Sequence, residues 1–236
     1  GGSSGFPVCW GEQFSKDKIV NIVKRDREEV KKQVLKFVSI TKPEVLIPFA
    51  GYFEEKHPSD IKVKEVNVKN SPFEVKDLIE GHFQEIMTWT PQSCEEFCVK
   101  DKKVKCDLKK GVYEDKPISY YEKKFSNDER LKYFDNDEQF LTYFKWANYK
   151  GNIVLDIIET CSNFEKVYKR RIVDLQHLTV EDQRPERDHH YLRIKVRKNQ
   201  FRHILYNSLP WEDFSIGFQA RFYREPDVYN FKFWIR

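Results

Sequence analysis

Between Lys16 and Ile40 the apolar residues Ile19, Ile22, Val23, Val30, Val34, Phe37 and Val38 recur at intervals of three and four, with charges between them. That spacing gathers one apolar stripe on a helix. Ser15 stands where an N-cap belongs, and Thr41-Lys42-Pro43 ends the helix, because the residue before proline is pushed toward extended backbone. Val45-Leu46-Ile47 is a short apolar run bracketed by Pro43 and Pro48, which predicts a strand buried on both faces. Helix followed by buried strand is half of an α/β layer unit. The loop beyond it carries His57-Pro58-Ser59-Asp60, polar groups at the mouth of a sheet, where sites of α/β proteins gather.

Ile61 to Val68 alternates apolar and polar residues, predicting a half-exposed strand or extended segment. Ser71-Pro72-Phe73-Glu74 opens a short helix through Ile79, with Ser71 as N-cap and Pro72 at the first helical position. Ile86 to Thr90 reads as the last strand of this layer. From Gln92 to about Lys116 the chain is lysine-rich and without a steady period, a surface excursion and a domain boundary. Asn127 to Tyr149 predicts helices with an aromatic core face, and Ile153 to Glu159 and the stretch from Phe164 to Leu175 predict strands. Pro185 to His190 is a charged loop, and Leu192 to Leu205 reads as a basic helix. Trp211 to Gln219 and Val228 to Ile235 close the chain with aromatic segments. The expected class is α/β, α+β overall, divided at residues 1–92, 93–125 and 126–236.

Composition narrows the class. Apolar residues make up 39% and aromatics 15%, too much large apolar surface for a disordered chain. The net charge of +4 is the difference between 42 basic and 38 acidic residues, so it argues weakly for a polyanion partner. No apolar run approaches the roughly 20 residues of a membrane helix, and no signal-like segment opens the chain. Five scattered cysteines read as reduced thiols, so the expectation is a cytoplasmic protein without membrane insertion. The chain does not begin with Met and ends inside an aromatic-rich stretch, Asn230 to Arg236, which reads as a fragment at both ends.

Candidate chemistry is sparse. Gly1-Gly2-Ser3-Ser4-Gly5-Phe6-Pro7 is either an added flexible linker or a glycine loop whose N–H groups approach a ligand. Cys94, Cys98 and Cys106, separated by three and seven residues, do not fit the paired spacing of a zinc ribbon. No cysteine is followed two positions later by histidine, which a Rieske iron–sulfur centre needs. His189 and His190 sit in a solvated charged loop. Lys195, Arg197, Lys198 and Arg202 form a basic run beside Phe201, a solvated face, a phosphate stripe or a nucleic-acid module. His57, in a proline-punctuated loop after a strand, is the best single candidate ligand.

Three groups of residues resemble the later part of the CMP-N-acetylneuraminate hydroxylase family: Gly1 to Pro7; Ile47-Pro48-Phe49-Ala50-Gly51-Tyr52-Phe53 with His57-Pro58-Ser59-Asp60; and Trp211 to Gln219 with Arg224-Glu225-Pro226-Asp227-Val228-Tyr229. Phe144-Lys145-Trp146-Ala147 and Ile158-Glu159-Thr160 extend the likeness, which weakens most between Cys94 and Glu122.

The resemblance implies a metallo-β-lactamase-like αββα domain, of which this chain holds the C-terminal part, followed by a smaller α+β region. It implies a monooxygenase that hydroxylates the N-acetyl group of CMP-N-acetylneuraminate with O2, a Rieske [2Fe-2S] cluster and electrons from cytochrome b5. It further implies that Gly1, Gly2, Ser3 and Ser4 form a native substrate loop, that Arg193, Lys195, Arg197 and Arg202 meet substrate phosphate, and that His57 is a late ligand of a metal ion. The Rieske motif and the His-x-His-x-Asp-His cluster of the family are absent from this chain. The isolated chain is therefore expected to be inactive and poorly soluble, with no nucleic-acid partner. A metallo-hydrolase relative, or a homologue that only binds sugar nucleotides, is the alternative.

Overall fold

The computed structural model describes residues 5–49, 57–91, 95–98, 100–106, 116–149 and 151–234. In chain order these form helix α1 (Lys16–Thr41), strand β1 (Val45–Leu46), helices α2 (Ile61–Val66) and α3 (Pro72–His82), strand β2 (Met87–Thr88), the hairpin β3 (Glu95–Cys98) and β4 (Lys103–Cys106), and helix α4 (Ile118–Ser126). A 3-10 run, Glu129–Asp135, leads into helix α5 (Asp137–Ala147). Strands β5 (Ile153–Thr160), β6 (Val167–Asp174), β7 (Thr179–Glu181) and β8 (His190–Arg197) follow, then helices α6 (Lys198–Tyr206) and α7 (Glu212–Ile216), strand β9 (Ala220–Glu225) and helix α8 (Phe231–Trp234). The class is mixed helix and sheet, as the patterning predicts.

Two compact units emerge. Of the described residues, one takes those within 21–49 and 68–117, the other those within 5–20, 57–67 and 118–234. This grouping follows contacts in space, so it interleaves stretches that sequence order separates.

In the first unit Val38, Ile79 and Ile86 are buried together, with Val34, Leu35, Leu46, Val75 and Phe83 packed around them. The stripe read along α1 supplies Val34 and Val38, and Ser15 caps that helix by accepting from the Lys18 N–H at 3.3 Å. Helix α3 starts with a full capping box: Ser71 Oγ accepts from Glu74 N–H at 3.1 Å, and Glu74 accepts from Ser71 N–H at 2.7 Å. Strands β1 and β2 pair in parallel, Val45 opposite Met87. The expected doubly buried strand over Val45 to Ile47 is corrected: only Val45 and Leu46 pair, both half-buried, and Ile47 is 39% exposed. The lysine-rich excursion contains the β3–β4 hairpin.

The second unit is organised on a five-stranded sheet of order β7-β6-β5-β8-β9. β5 and β8 lie parallel at its centre and every other pairing is antiparallel. Leu155, Ile157, Ile194, Val196, Ala220 and Phe222 share one face and are almost wholly buried. Aromatic residues from the helices build the adjoining core: Phe201 lies 6.1 Å from Phe140 and 5.5 Å from Phe214, centroid to centroid. The edge strand β9 is covered by residues 8–14. Trp10 stacks on Phe222 at 5.2 Å, and Gln13 Oε1 accepts from the Arg224 N–H at 2.7 Å, which satisfies part of an otherwise open edge.

Two predicted elements change identity in this unit. Ile61 to Val66 is helix α2: Lys62, Lys64 and Glu65 are good helix formers, and only Val63 is buried while Ile61 is 58% exposed, so no strand face forms. The expected basic helix from Leu192 to Leu205 is strand β8 up to Arg197 and helix only from Lys198. The apolar set Leu192, Ile194 and Val196 repeats every two residues, and a helix would scatter it around its circumference. β9, within the aromatic closing stretch, is an element the patterning did not separate.

Candidate functional site

The alternation along β8 decides where the cations go. Leu192, Ile194 and Val196 enter the core, so Arg193, Lys195 and Arg197 share the opposite face of the sheet. Register places Arg221 of β9 opposite Lys195, Tyr223 opposite Arg193, and Ile158 of β5 beside Lys195, with Arg170 of β6 beyond it.

Arg197 and Arg221 converge on one buried carboxylate. Asp60 accepts from Arg197 at 2.9 Å and from Arg221 at 2.5 Å. Arg197 also donates to Ser59 Oγ at 2.7 Å, to the Ser162 carbonyl at 2.7 Å and to Gln219 Oε1 at 3.0 Å. Burial pushes the Arg197 pKa below the ordinary guanidinium value, with Asp60 opposing the shift. Both guanidiniums stack on Phe164, at 4.7 and 4.3 Å from its centroid. Phe164 holds φ 65°, a left-handed conformation costly for a bulky residue, and both cations lie over its ring.

His57 joins the same cluster through Ser59. Its Nδ1 accepts from the Ser59 N–H at 3.2 Å and lies 2.7 Å from Ser59 Oγ, and its Nε2 lies 3.2 Å from Glu122. The Ser162 hydroxyl, and after it His57, hold the Glu122 carboxyl below its ordinary range. The structure thus brings two of the sequence-predicted residues, His57 and Arg197, into one polar network. It adds Ser59 and Asp60 of the same His57-Pro58-Ser59-Asp60 loop, and Glu122 and Arg221, which sequence reasoning did not point to. The alternation Ala220-Arg221-Phe222-Tyr223 was the available signal for Arg221.

Arg221 also lines a cleft of 570 Å³ between residues 8–19 and helix α2. Phe14, Ile19 and Val63 give it an apolar wall, and Lys16 and Lys62 stand at its charged part. Arg193 donates to Glu12, another residue of this cleft, at 2.5 Å and lies over Tyr223 at 4.9 Å. Arg202 belongs elsewhere. It is buried with Glu159, which it meets at 2.7 and 3.0 Å, and donates also to Asp135 at 2.6 Å and to the Leu131 carbonyl at 3.1 Å. Arg171 binds the other oxygen of Glu159 at 2.9 Å. Arg202 is therefore a core cation with its donors taken, not a group facing a ligand. Gly1, Gly2, Ser3 and Ser4 lie outside the described residues.

Comparison with known proteins gives this face its context. The chain is 33% identical over 251 residues to the cytidine monophosphate-N-acetylneuraminic acid hydroxylase of Danio rerio, across 99% of this chain and 42% of that protein. The Xenopus laevis hydroxylase is 34% identical, with the same shares covered. Its relatives are CMP-N-acetylneuraminic acid hydroxylases. A Homo sapiens protein named as an inactive hydroxylase is 33% identical, across 99% of this chain and 49% of that protein. The chain thus spans less than half the length of these relatives. No protein-family model and no solved structure matches it.

The residues described here do not fit the metal centres that the hydroxylase resemblance implies. His57 has one ring nitrogen on Ser59 and the other on Glu122, and among the described residues no group of three His, Cys, Asp or Glu could hold a metal ion. Cys98 donates to Asp101 at 3.3 Å and Cys161 to Asn163 at 2.7 Å. Among the described residues no helix is long and apolar enough to cross a membrane.

Proposed function

We propose that this chain is the substrate-handling portion of a CMP-N-acetylneuraminate hydroxylase. The observation that carries the reading is relatedness over 99% of the chain to proteins of that name. In this reading the complete protein hydroxylates the N-acetyl group of CMP-N-acetylneuraminate to the N-glycolyl form in the cytoplasm, using O2 and electrons from cytochrome b5. The [2Fe-2S] cluster, and the metal ion of a β-lactamase-like domain, supply the electron transfer and oxygen chemistry from residues other than those described here. The β1–β2 pair with α1 and α3 is the piece assigned to that domain. The work of this chain is recognition: a cation-rich sheet face, held rigid by Asp60, beside a half-apolar cleft large enough for a ligand. Alone, the chain binds and does not turn over.

A second reading, sugar-nucleotide binding without hydroxylation in any context, draws support from the relative named inactive. Isothermal titration with CMP-N-acetylneuraminate, against CMP, tests the part both share. Binding that requires the sugar supports recognition by this chain. Absence of binding by a folded sample, checked by circular dichroism, refutes it. Adding the electron-transfer portion of a relative and assaying N-glycolyl product then separates the two readings.

A further inference from the structure

Lys195 stands in a position that a folded protein ordinarily avoids. It lies directly opposite Arg221 in the β8–β9 register, and like charges at such a pair repel across about 5 Å. Its strand neighbours on the same face are Arg193 and Arg197, and Arg170 follows one strand beyond Ile158. Each of the other cations has a carboxylate: Arg170 has Asp156, Arg193 has Glu12, and Arg197 and Arg221 share Asp60. Lys195 has none among the described residues, and it is half-buried, so water screens it only in part. One carboxylate divided between two arginines, and one lysine with no carboxylate, leave this face short of negative charge.

We infer that Lys195 and Arg221 form the seat of an anionic group of the ligand, a phosphate ester or a carboxylate. The inference rests on the sugar-nucleotide reading above, since CMP-N-acetylneuraminate carries one charge of each kind. Asp60 is then a positioning residue. It takes one end of the Arg221 guanidinium, and the carbonyls of Phe218 and Ala220 accept from the same side chain at 2.9 and 3.0 Å. Among the described residues, those bonds engage only the two Nη groups of Arg221. Arg193 and Arg197 shape the face from within existing ion pairs, so the ligand's charge falls to the two cations that register sets against each other. Such an arrangement trades stability of the ligand-free state for binding.

The test is titration calorimetry of the full chain with CMP-N-acetylneuraminate, CMP and inorganic phosphate, at low and raised salt, alongside thermal melts. Lys195→Gln is expected to weaken binding of the sugar nucleotide about tenfold or more, to flatten its salt dependence, and to melt no lower than the unsubstituted chain. Lys195→Arg is expected to retain binding, and Lys132→Gln, an exposed residue outside the cleft, to leave it unchanged. Undiminished binding by a folded Lys195→Gln chain would overturn the anion seat while leaving the hydroxylase reading intact. A melt well below that of the unsubstituted chain would show the charge to be structural, which also overturns it. Absence of binding by the unsubstituted chain would remove both proposals together.

Discussion

Replacing Asp60 with Asn tests whether one carboxylate organises the cation-rich face. The side chain is 4% exposed and lies between Arg197, 3% exposed, and Arg221, 15% exposed. Asn keeps the volume and one acceptor, but it removes the charge and points an N–H at a guanidinium. Arg197 is too deeply buried to recover that loss from water. Breaking a buried pair and leaving one charge uncompensated costs about 3–5 kcal/mol. For a chain of this size, each kcal/mol lowers the melting temperature by about 2–4 °C, so Asp60→Asn should melt roughly 6–20 °C lower. Urea unfolding followed by circular dichroism measures the free energy directly, with the transition midpoint falling and the slope unchanged. The double variant Asp60→Asn with Arg221→Gln should recover part of the loss, because one of the stranded charges goes with it. A loss of less than about 1 kcal/mol would refute the reasoning, because that is the scale of a solvent-screened surface pair.

Two further predictions concern ion pairs distant from the cleft. Arg202→Gln leaves Glu159 its pair with Arg171 but removes two charge-assisted hydrogen bonds and should destabilise by about 1.5–3 kcal/mol in urea unfolding; a well-folded Arg202→Gln chain that instead lost ligand binding would restore Arg202 as a ligand contact. Burial alone raises the Asp174 carboxyl, but Arg187, His177 and the Gln176 N–H outweigh it and bring the pKa down to about 2. Because the folded value lies below the unfolded one, the stabilisation is complete above about pH 4 and is lost as pH falls through about 2, a contribution of about 2 kcal/mol. Acid unfolding curves for the unsubstituted chain and Asp174→Asn should therefore converge at low pH; equal separation at pH 2 and pH 5 would contradict the assignment.

Local chemistry carried the local structure. The three-and-four spacing along α1, the Ser71-to-Glu74 capping box, the apolar run of β5 and the aromatic helices after Asn127 each lie within one short window, where propensity and periodicity act directly. The same windows failed where two periods overlapped. From Leu192 to Leu205 an alternating strand runs straight into a helix, and the basic residues common to both masked the change at Arg197. In α2, alternation of apolar and charged residues suggested a strand, but its fate depended on which single residue, Val63, found a core.

What the sequence by itself determined was a folded α/β chain with α1, α3, the helices after Asn127 and strands β5 and β6, a basic run from Lys195 to Arg202, and a likeness to the hydroxylases that the comparisons bear out. Only the tertiary structure decided what each cation does. Asp60 meets Arg197 and Arg221 across separations of 137 and 161 residues, and Glu159 meets Arg202 across 43. No local pattern encodes such pairings, because they depend on which strands become neighbours and in what register. That register buries Arg202, neutralises Arg193 and Arg197, and sets Lys195 against Arg221 with no carboxylate of its own.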